Sequence, residues 1–560
     1  MASTEQRVHA VCDRYVDDYA AADPVTATMQ GIAGHDDRLT DYSPDGYARR
    51  GELAARARAE VTATEPGDVS ERSAQAVFTE RLGVDLELHE AGLDLAQLNV
   101  IASPPQDMRM AFDLMATETA DDWAVISARL GEVPGTLSGL RSGLLAAADK
   151  GRVAALRQVA KVAEQCETWA GLKDDPAFFT EFVRGAGVAG EALKADLERR
   201  ARAAEEAYAE FAGFLRAELA VKAPAKDAVG EDVYKLWSRY FIGAALDLHE
   251  AYEWGWAEFS RIEAEMCEVA GRIKAGASPA EAAAVLDADP RYRVHGRTEF
   301  EAWMQNLSDG ALNALRGKHF DISDRVMALE CLIAPPGGGI GAYYTGPSED
   351  FTRPGRMWWS LPPGKEEFIT WRETSTVYHE GAPGHHLQIA TSVDQAGLNK
   401  YQRLMAFTSG HAEGWALYAE RLMEELGFLS DDGDLLGMLS EQLFRAARVI
   451  VDLGMHLELK IPAGTGFHEG ERWTPELGLE FMLTRTITDP AHVPDEIDRY
   501  LGWPGQAPAY KIGERLWLAA REDARVRHGA AFDIRQFHTS ALALGGMGLD
   551  TLRDQLALLA

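Results

Sequence analysis

Tyr378-His379-Glu380-Gly381-Ala382-Pro383-Gly384-His385-His386-Leu387-Gln388 is the stretch on which the reading of this 560-residue chain turns. Four of the 15 histidines fall between residues 379 and 411. On a helix, His-Glu followed shortly by a second His is the pattern of a zinc site. Two imidazoles hold Zn²⁺, and the Glu beside the first takes a proton from the water the metal activates. In the common spacing the second His stands one helical turn on. In this chain the candidates are His385 and His386, six and seven residues after His379. On an unbroken helix the sixth residue points about 120° away and the seventh lies roughly 10 Å along the axis. Bonds of about 2.0–2.1 Å span neither gap.

Pro383 forbids an unbroken helix, because it lacks the N–H that would reach the His379 carbonyl and its ring clashes there. Gly384 supplies the backbone freedom a detour needs. A bulge absorbing two residues brings His385 into the ligand place, whereas His386 would need three. His385 is therefore the expected second ligand, with His386 turned aside to hydrogen-bond substrate or a neighbouring carboxylate. Catalytic zinc keeps a third protein ligand, and Thr408-Ser409-Gly410-His411-Ala412-Glu413-Gly414-Trp415-Ala416-Leu417-Tyr418-Ala419-Glu420 offers it. Ser409 is placed to cap this helix, and Glu413 falls in its opening turns. Glu420, on the same face, is a rival, and His411 is either a ligand or a partner to Glu413.

Working outward, residues 1 to about 330 read as helix after helix. Ala189–Ala220 and Asp247–Ala275 are rich in strong helix formers. Leu193, Leu197, Ala204, Tyr208, Phe211, Leu215 and Leu219 trace one apolar stripe. Ser278-Pro279 reads as an N-cap with proline at the first helical position. Between about 331 and 364, aromatic runs separated by Gly and Pro predict two short strands, the one convincing β segment. The glycines at 337–341 read as a bend beside a strand. Further helices are expected near 409–427, 434–460, 475–486 and 510–528, with a last one at 535–558. The fold class is mostly α: a multi-helical body over 1–330 and a metal-site region over 331–560 with the small β segment, packed as one continuous unit.

Composition excludes several classes. There are 56 Lys and Arg against 88 Asp and Glu, a net charge of −32, which repels phosphate backbones and anionic lipid. Neither nucleic acid nor membrane is an expected partner, and the oligomeric state is left open. Cys12, Cys166, Cys267 and Cys331 form no CxxC pair and no disulfide framework. With no apolar signal-peptide core near the N-terminus, the expected location is cytoplasmic. No Glu-x-x-His pair, G-x-S-x-G elbow, P-loop or strand–GxGxxG–helix unit is present.

These residues resemble a bacterial family known as domain of unknown function 885, regarded as zinc-peptidase-like. The likeness is carried by the His-Glu-x-x-Pro-Gly-His-His-x-Gln core and by Glu413-Gly414-Trp415-Ala416. Arg499-Tyr500, Pro504-Gly505-Gln506-Ala507, Tyr510-Lys511-Ile512-Gly513 and Phe537-His538 extend it. It covers about 340–555, and the first half is similar only in helical character. Gly546-Met547-Gly548-Leu549 departs from the family's usual Pro-Leu pair. The resemblance implies a fold like the neurolysin and carboxypeptidase Taq zincins, with a deep channel, and no particular substrate. In that setting Tyr510 and His538 are the candidate oxyanion donors, each with a packed structural residue as the alternative. Tyr344, with Tyr343, stands where an edge strand would pair with an extended peptide, with packing in a sheet core as the alternative.

The function expected is therefore a Zn²⁺-dependent hydrolase of peptide or related amide bonds acting on short peptides. His379, His385 and Glu413 hold the metal, and Glu380 is the general base. The alternative is a non-catalytic helical binding protein with a structural metal site.

Overall fold

The computed structural model describes residues 7–334, 341–362 and 364–558, and they are mostly α-helical with small sheets. They cluster into two compact units. The first comprises Met1–Gly67, Leu82–Val229 and Asp495–Trp503; the second comprises Asp68–Arg81, Gly230–Pro494 and Pro504–Ala560. Residues 230–330, read from sequence with the helical body, thus cluster with the metal-site residues. No helix among the described residues is long and apolar enough to cross a membrane.

In the first unit, α1 (Ala120–Asp149), α2 (Leu156–Trp169) and α3 (Glu191–Phe214) build one core. Thr119 opens α1 through a capping box with Asp122. The apolar stripe read from the sequence is the packed face of α3. Leu197, Ala204, Tyr208 and Phe211 are buried against Leu130, Leu137 and Leu140 of α1. The stripe runs on through Leu215 and Leu219, in a π-helical turn at Leu215–Leu219.

The second unit includes α4 (Leu248–Ile273), capped by Asp247, and α5 (Arg297–Leu315). Five strands accompany them, β1 (Arg293–His295), β2 (Leu329–Ile333), β3 (Gly341–Thr345), β4 (Gly355–Ser360) and β5 (Glu367–Ile369). β2, β4 and β3 form one sheet in that order, with β2 parallel and β3 antiparallel to β4. β1 and β5 make a separate antiparallel pair. The sequence reading named two strands; it missed β2, and β1 and β5, of three residues each, are too short to show an alternating pattern. Of the glycines read as a bend, Gly341 opens β3, and Gly337–Gly339 lie outside the described residues.

Helices follow: α6 (Thr370–Glu380), α7 (His385–Asp394), α8 (Ser409–Glu425), α9 (Asp432–Leu457), α10 (Ala509–His528), α11 (Ile534–Leu542) and α12 (Leu549–Leu558). The single helix expected over 535–558 is two, broken where Gly545 takes a positive φ. Helix α9 buries residues on every face, including Leu436, Ala446, Val449, Ile450 and Leu453, and α4 and α6 both pack on it. α8 and α10 cross at glycines from two of the quoted motifs: a Cβ on Gly414 would lie 2.4 Å from the Gly513 Cα. That contact sets the height of Glu413 above the neighbouring helices.

Gly414→Ala overpacks this crossing and is expected to destabilise by about 1–3 kcal/mol, read as a lowered denaturation midpoint. Gly271→Ala, on the exposed side of α4 with nothing within 4 Å of the new methyl, is expected to raise the midpoint slightly.

Candidate metal centre

The route from His379 to His385 is a break between two helices, where the sequence reading expected a bulge inside one. α6 ends at Glu380, four residues turn, and α7 begins at His385. The turn is closely held. Gly384 N–H donates to the Tyr378 carbonyl at 3.0 Å, and His386 N–H to the Gly381 carbonyl at 3.1 Å. The indole N–H of Trp415 donates to the Pro383 carbonyl at 2.8 Å. A Cβ at Gly384 would lie 1.9 Å from the His379 carbonyl oxygen, so only glycine allows the chain to fold back this tightly. Beneath the turn, Met357 of β4 and Leu329 of β2 pack against Gly381.

This turn swings His385 back over His379, with ring centroids 4.8 Å apart and planes at 89°. Glu413, on α8, sends its Oε2 between them, 3.3 Å from His379 Nε2 and 3.3 Å from His385 Nε2. One ligand atom from each of the three residues lies within 4.8 Å of the others. Bonds of about 2.0–2.1 Å at tetrahedral angles place neighbouring ligand atoms roughly 3.3–3.4 Å apart. The two imidazole–carboxylate separations therefore suit a shared metal ion.

Glu420 is a partner and not a rival ligand: His379 Nδ1 donates to its Oε1 at 2.7 Å. A carboxylate on the far nitrogen of a metal-ligating His fixes the ring and its tautomer. Two turns of α8 thus serve one imidazole from both sides. Burial opposes a charge on His379, but hydrogen bonds with Glu413 and Glu420 outweigh it and raise its pKa to about 10. Burial likewise opposes a charged Glu413, yet His379 and His385 hold it well below the usual carboxylate range. The cluster demands positive charge at its centre. Glu380 is buried beside it with no protein hydrogen bond to its carboxylate among the described residues. Burial raises its pKa, with His385, His379 and Arg445 opposing and Glu413 adding to the rise.

The other residues singled out from sequence lie elsewhere. His386 is 1% exposed. Its Nε2 donates to the Val326 carbonyl at 2.7 Å, so its Nδ1 accepts from the Tyr344 hydroxyl at 3.0 Å. Both ring nitrogens and the Tyr344 hydroxyl are thus engaged inside the protein. His538 is enclosed by Phe320, Trp415 and Tyr418, and its Nε2 accepts from the Tyr418 hydroxyl at 2.7 Å. Burial, with Arg521 adding, depresses its pKa to about 3. The ring is 1% exposed, and with Nε2 accepting its proton lies on the buried Nδ1. His411 is buried and neutral, its Nδ1 accepting from Gln388. The cap of α8 is Thr408, one residue before Ser409. Tyr510 opens α10 with the Arg448 guanidinium 4.8 Å and that of Arg445 5.9 Å from its ring. Arg445 was missed as a part of the site, since a lone Arg in a helix carries no signal of what it faces, whereas Glu420 was named from sequence but as a rival ligand.

The profile of a family described as bacterial protein of unknown function (DUF885) matches residues 24–556. The chain belongs to the DUF885 family. No curated protein matches it. Among solved structures, one described as a "putative lipoprotein" from Colwellia psychrerythraea aligns over 99% of both chains at 23% identity, with a TM-score of 0.84. A second, described in the same words with unknown function, from Shewanella oneidensis, covers 98% of this chain and 99% of its own at 17% identity, with a TM-score of 0.73. These likenesses show that the DUF885 chain shares their fold.

His385→Ala is expected to abolish metal uptake, measured by elemental analysis after remetallation, and Glu420→Gln to weaken it about 10–100-fold. His386→Ala should keep the metal and lose about 1–3 kcal/mol of stability, because the Val326 carbonyl and Tyr344 hydroxyl lose their partner. Loss of metal from His386→Ala with retention in His385→Ala would reverse the assignment.

Proposed function

We propose that this DUF885 protein is a zinc-dependent hydrolase of peptide or related amide bonds, acting on short peptides. The observation that carries the reading is Glu380, a buried carboxylate without a protein hydrogen-bond partner among the described residues, beside three groups spaced as metal ligands. A structural metal clip has no use for such a group, which sets aside the non-catalytic alternative.

His379, His385 and Glu413 would hold the ion, and two imidazoles with one carboxylate are a donor set that hydrolytic Zn²⁺ takes. Bound there, the metal supplies Lewis-acid polarisation of the scissile carbonyl and a lowered pKa for water. Glu380 takes the proton released during attack onto its carboxylate and returns it to the leaving nitrogen. Tyr510 donates its phenolic O–H to the developing oxyanion; in support, its ring and Glu380 share Arg445 as a neighbour. β3, at the edge of its sheet, is the strand beside which an extended peptide would lie, with Tyr344 holding the strand to His386. A deep channel that admits short peptides belongs to the same reading. So does a cytoplasmic location, supported by four free cysteines. The lipoprotein description of the Colwellia and Shewanella proteins points to the cell envelope instead, and fractionation of the native cells separates the two.

Protein purified without chelator should carry close to one zinc per chain and cleave members of a peptide library, with cleavage lost on chelation and restored by Zn²⁺. Glu380→Gln should retain zinc while turnover falls on the order of 10²–10⁴-fold. Metal loss from that variant would make Glu380 a ligand, and a zinc-loaded wild type that cleaves nothing would return the chain to the binding class.

A further inference from the structure

Lys511, in the Tyr510-Lys511-Ile512-Gly513 block, is only 1% exposed. A buried ammonium is costly unless its three N–H donors are met. All three are: Nζ donates to Gln442 Oε1 at 2.7 Å, to Glu258 at 3.0 Å, and to Glu514. Gln442, on α9 and wholly buried, then turns its NH₂ toward the Glu420 Oε2 at 3.1 Å and the Leu417 carbonyl at 3.3 Å. The other oxygen of Glu420 receives His379 Nδ1.

The direction of every link is forced. Lysine has donors only, so it takes the amide oxygen of Gln442. The Leu417 carbonyl accepts only, so it takes the amide nitrogen. The remaining amide N–H then points at Glu420, and a carboxylate already receiving a donor on one oxygen takes another on its second. His379 thus keeps a proton on Nδ1, which leaves Nε2, facing Glu413, as the nitrogen that would take a metal.

We infer that Lys511 is a positioning residue for the metal centre, acting through Gln442 and Glu420 to fix the tautomer and ring orientation of His379. This rests on the reading of His379 as a metal ligand. Three helices are tied to one imidazole: α10 through Lys511, α9 through Gln442 and α8 through Glu420. The chain also continues outward, since Glu258 is engaged by Arg261 at 2.7 and 2.8 Å.

Electrostatics makes the proposal separable from a general effect of charge. Removing a nearby cation would by itself strengthen binding of a divalent metal. Loss of the hydrogen-bond chain weakens it.

The test titrates metal-free wild type, Lys511→Met, Gln442→Leu and the double variant with Zn²⁺ against a chromophoric chelator, and records visible spectra of the Co²⁺ forms. Each single variant is expected to bind Zn²⁺ about 10-fold more weakly and to shift the Co²⁺ bands. The double variant should be no weaker than Gln442→Leu alone, because Lys511 acts through that residue. Zn²⁺ affinity within about twofold of wild type and an unchanged Co²⁺ spectrum in folded Lys511→Met would overturn the proposal, as would additive losses in the double variant. If Lys511→Met does not fold, Gln442→Glu decides. It keeps an acceptor for Lys511 but sets an oxygen against Glu420, and unchanged affinity there overturns the proposal equally. A wild type that binds neither metal would instead sink the metal-site reading itself.

Discussion

Two imidazoles from successive helices meet one carboxylate oxygen of a third, and a helix continuing straight past Glu380 would make that meeting impossible. Most of what surrounds residues 379–413 exists to hold the chain out of that straight path. Gly384 lets the backbone come within contact of the His379 carbonyl, and Trp415 caps the Pro383 carbonyl from α8. The residue that closes the turn therefore sits two positions after the residue that supplies the shared oxygen. Between them Gly414 brings α8 against α10. Ligand, helix crossing and turn closure occupy three consecutive residues, so displacing any one moves the others.

The second constraint is charge. Glu380, Glu413 and Glu420 are gathered around two imidazoles in the interior, where each unpaired charge is expensive. His379 resolves this without metal by holding a proton to high pH, and a dication would do so more completely. The polar chain behind His379 is satisfied link by link, from Glu420 through Gln442 to Lys511, and ends at Arg261, about half exposed. A fully paired network of this kind is rigid, and a metal centre needs rigidity in ligands that must not collapse onto one another.

His386 shows how adjacent residues separate in role. One position beyond a metal-ligand candidate, it ties β3 and the segment containing Val326 to α7, with both nitrogens spent. His538 does similar work among aromatic rings. Histidine counts near a motif therefore overstate the number of chemical groups, because a buried neutral imidazole is also a good packing and hydrogen-bonding piece.

The amino-acid sequence by itself determined the helical character, through the 3.6-residue stripe of α3 and the cap at Ser278. It also determined the ligand candidates, because Pro383 excludes a straight helix and leaves few ways to reunite His379 with a later histidine. Tertiary structure alone decided the rest. The choice of Thr408 over Ser409 as cap, the break at Gly545 and the three-residue strands depend on local geometry that short segments do not advertise. Whether Glu420 would bind metal or orient His379 depended on which face of α8 met α6. The partnership of Gln442 and Lys511 depended on side chains 69 residues apart meeting across a helix interface. Periodicity reports which face of a helix is buried; it carries no record of what lies opposite.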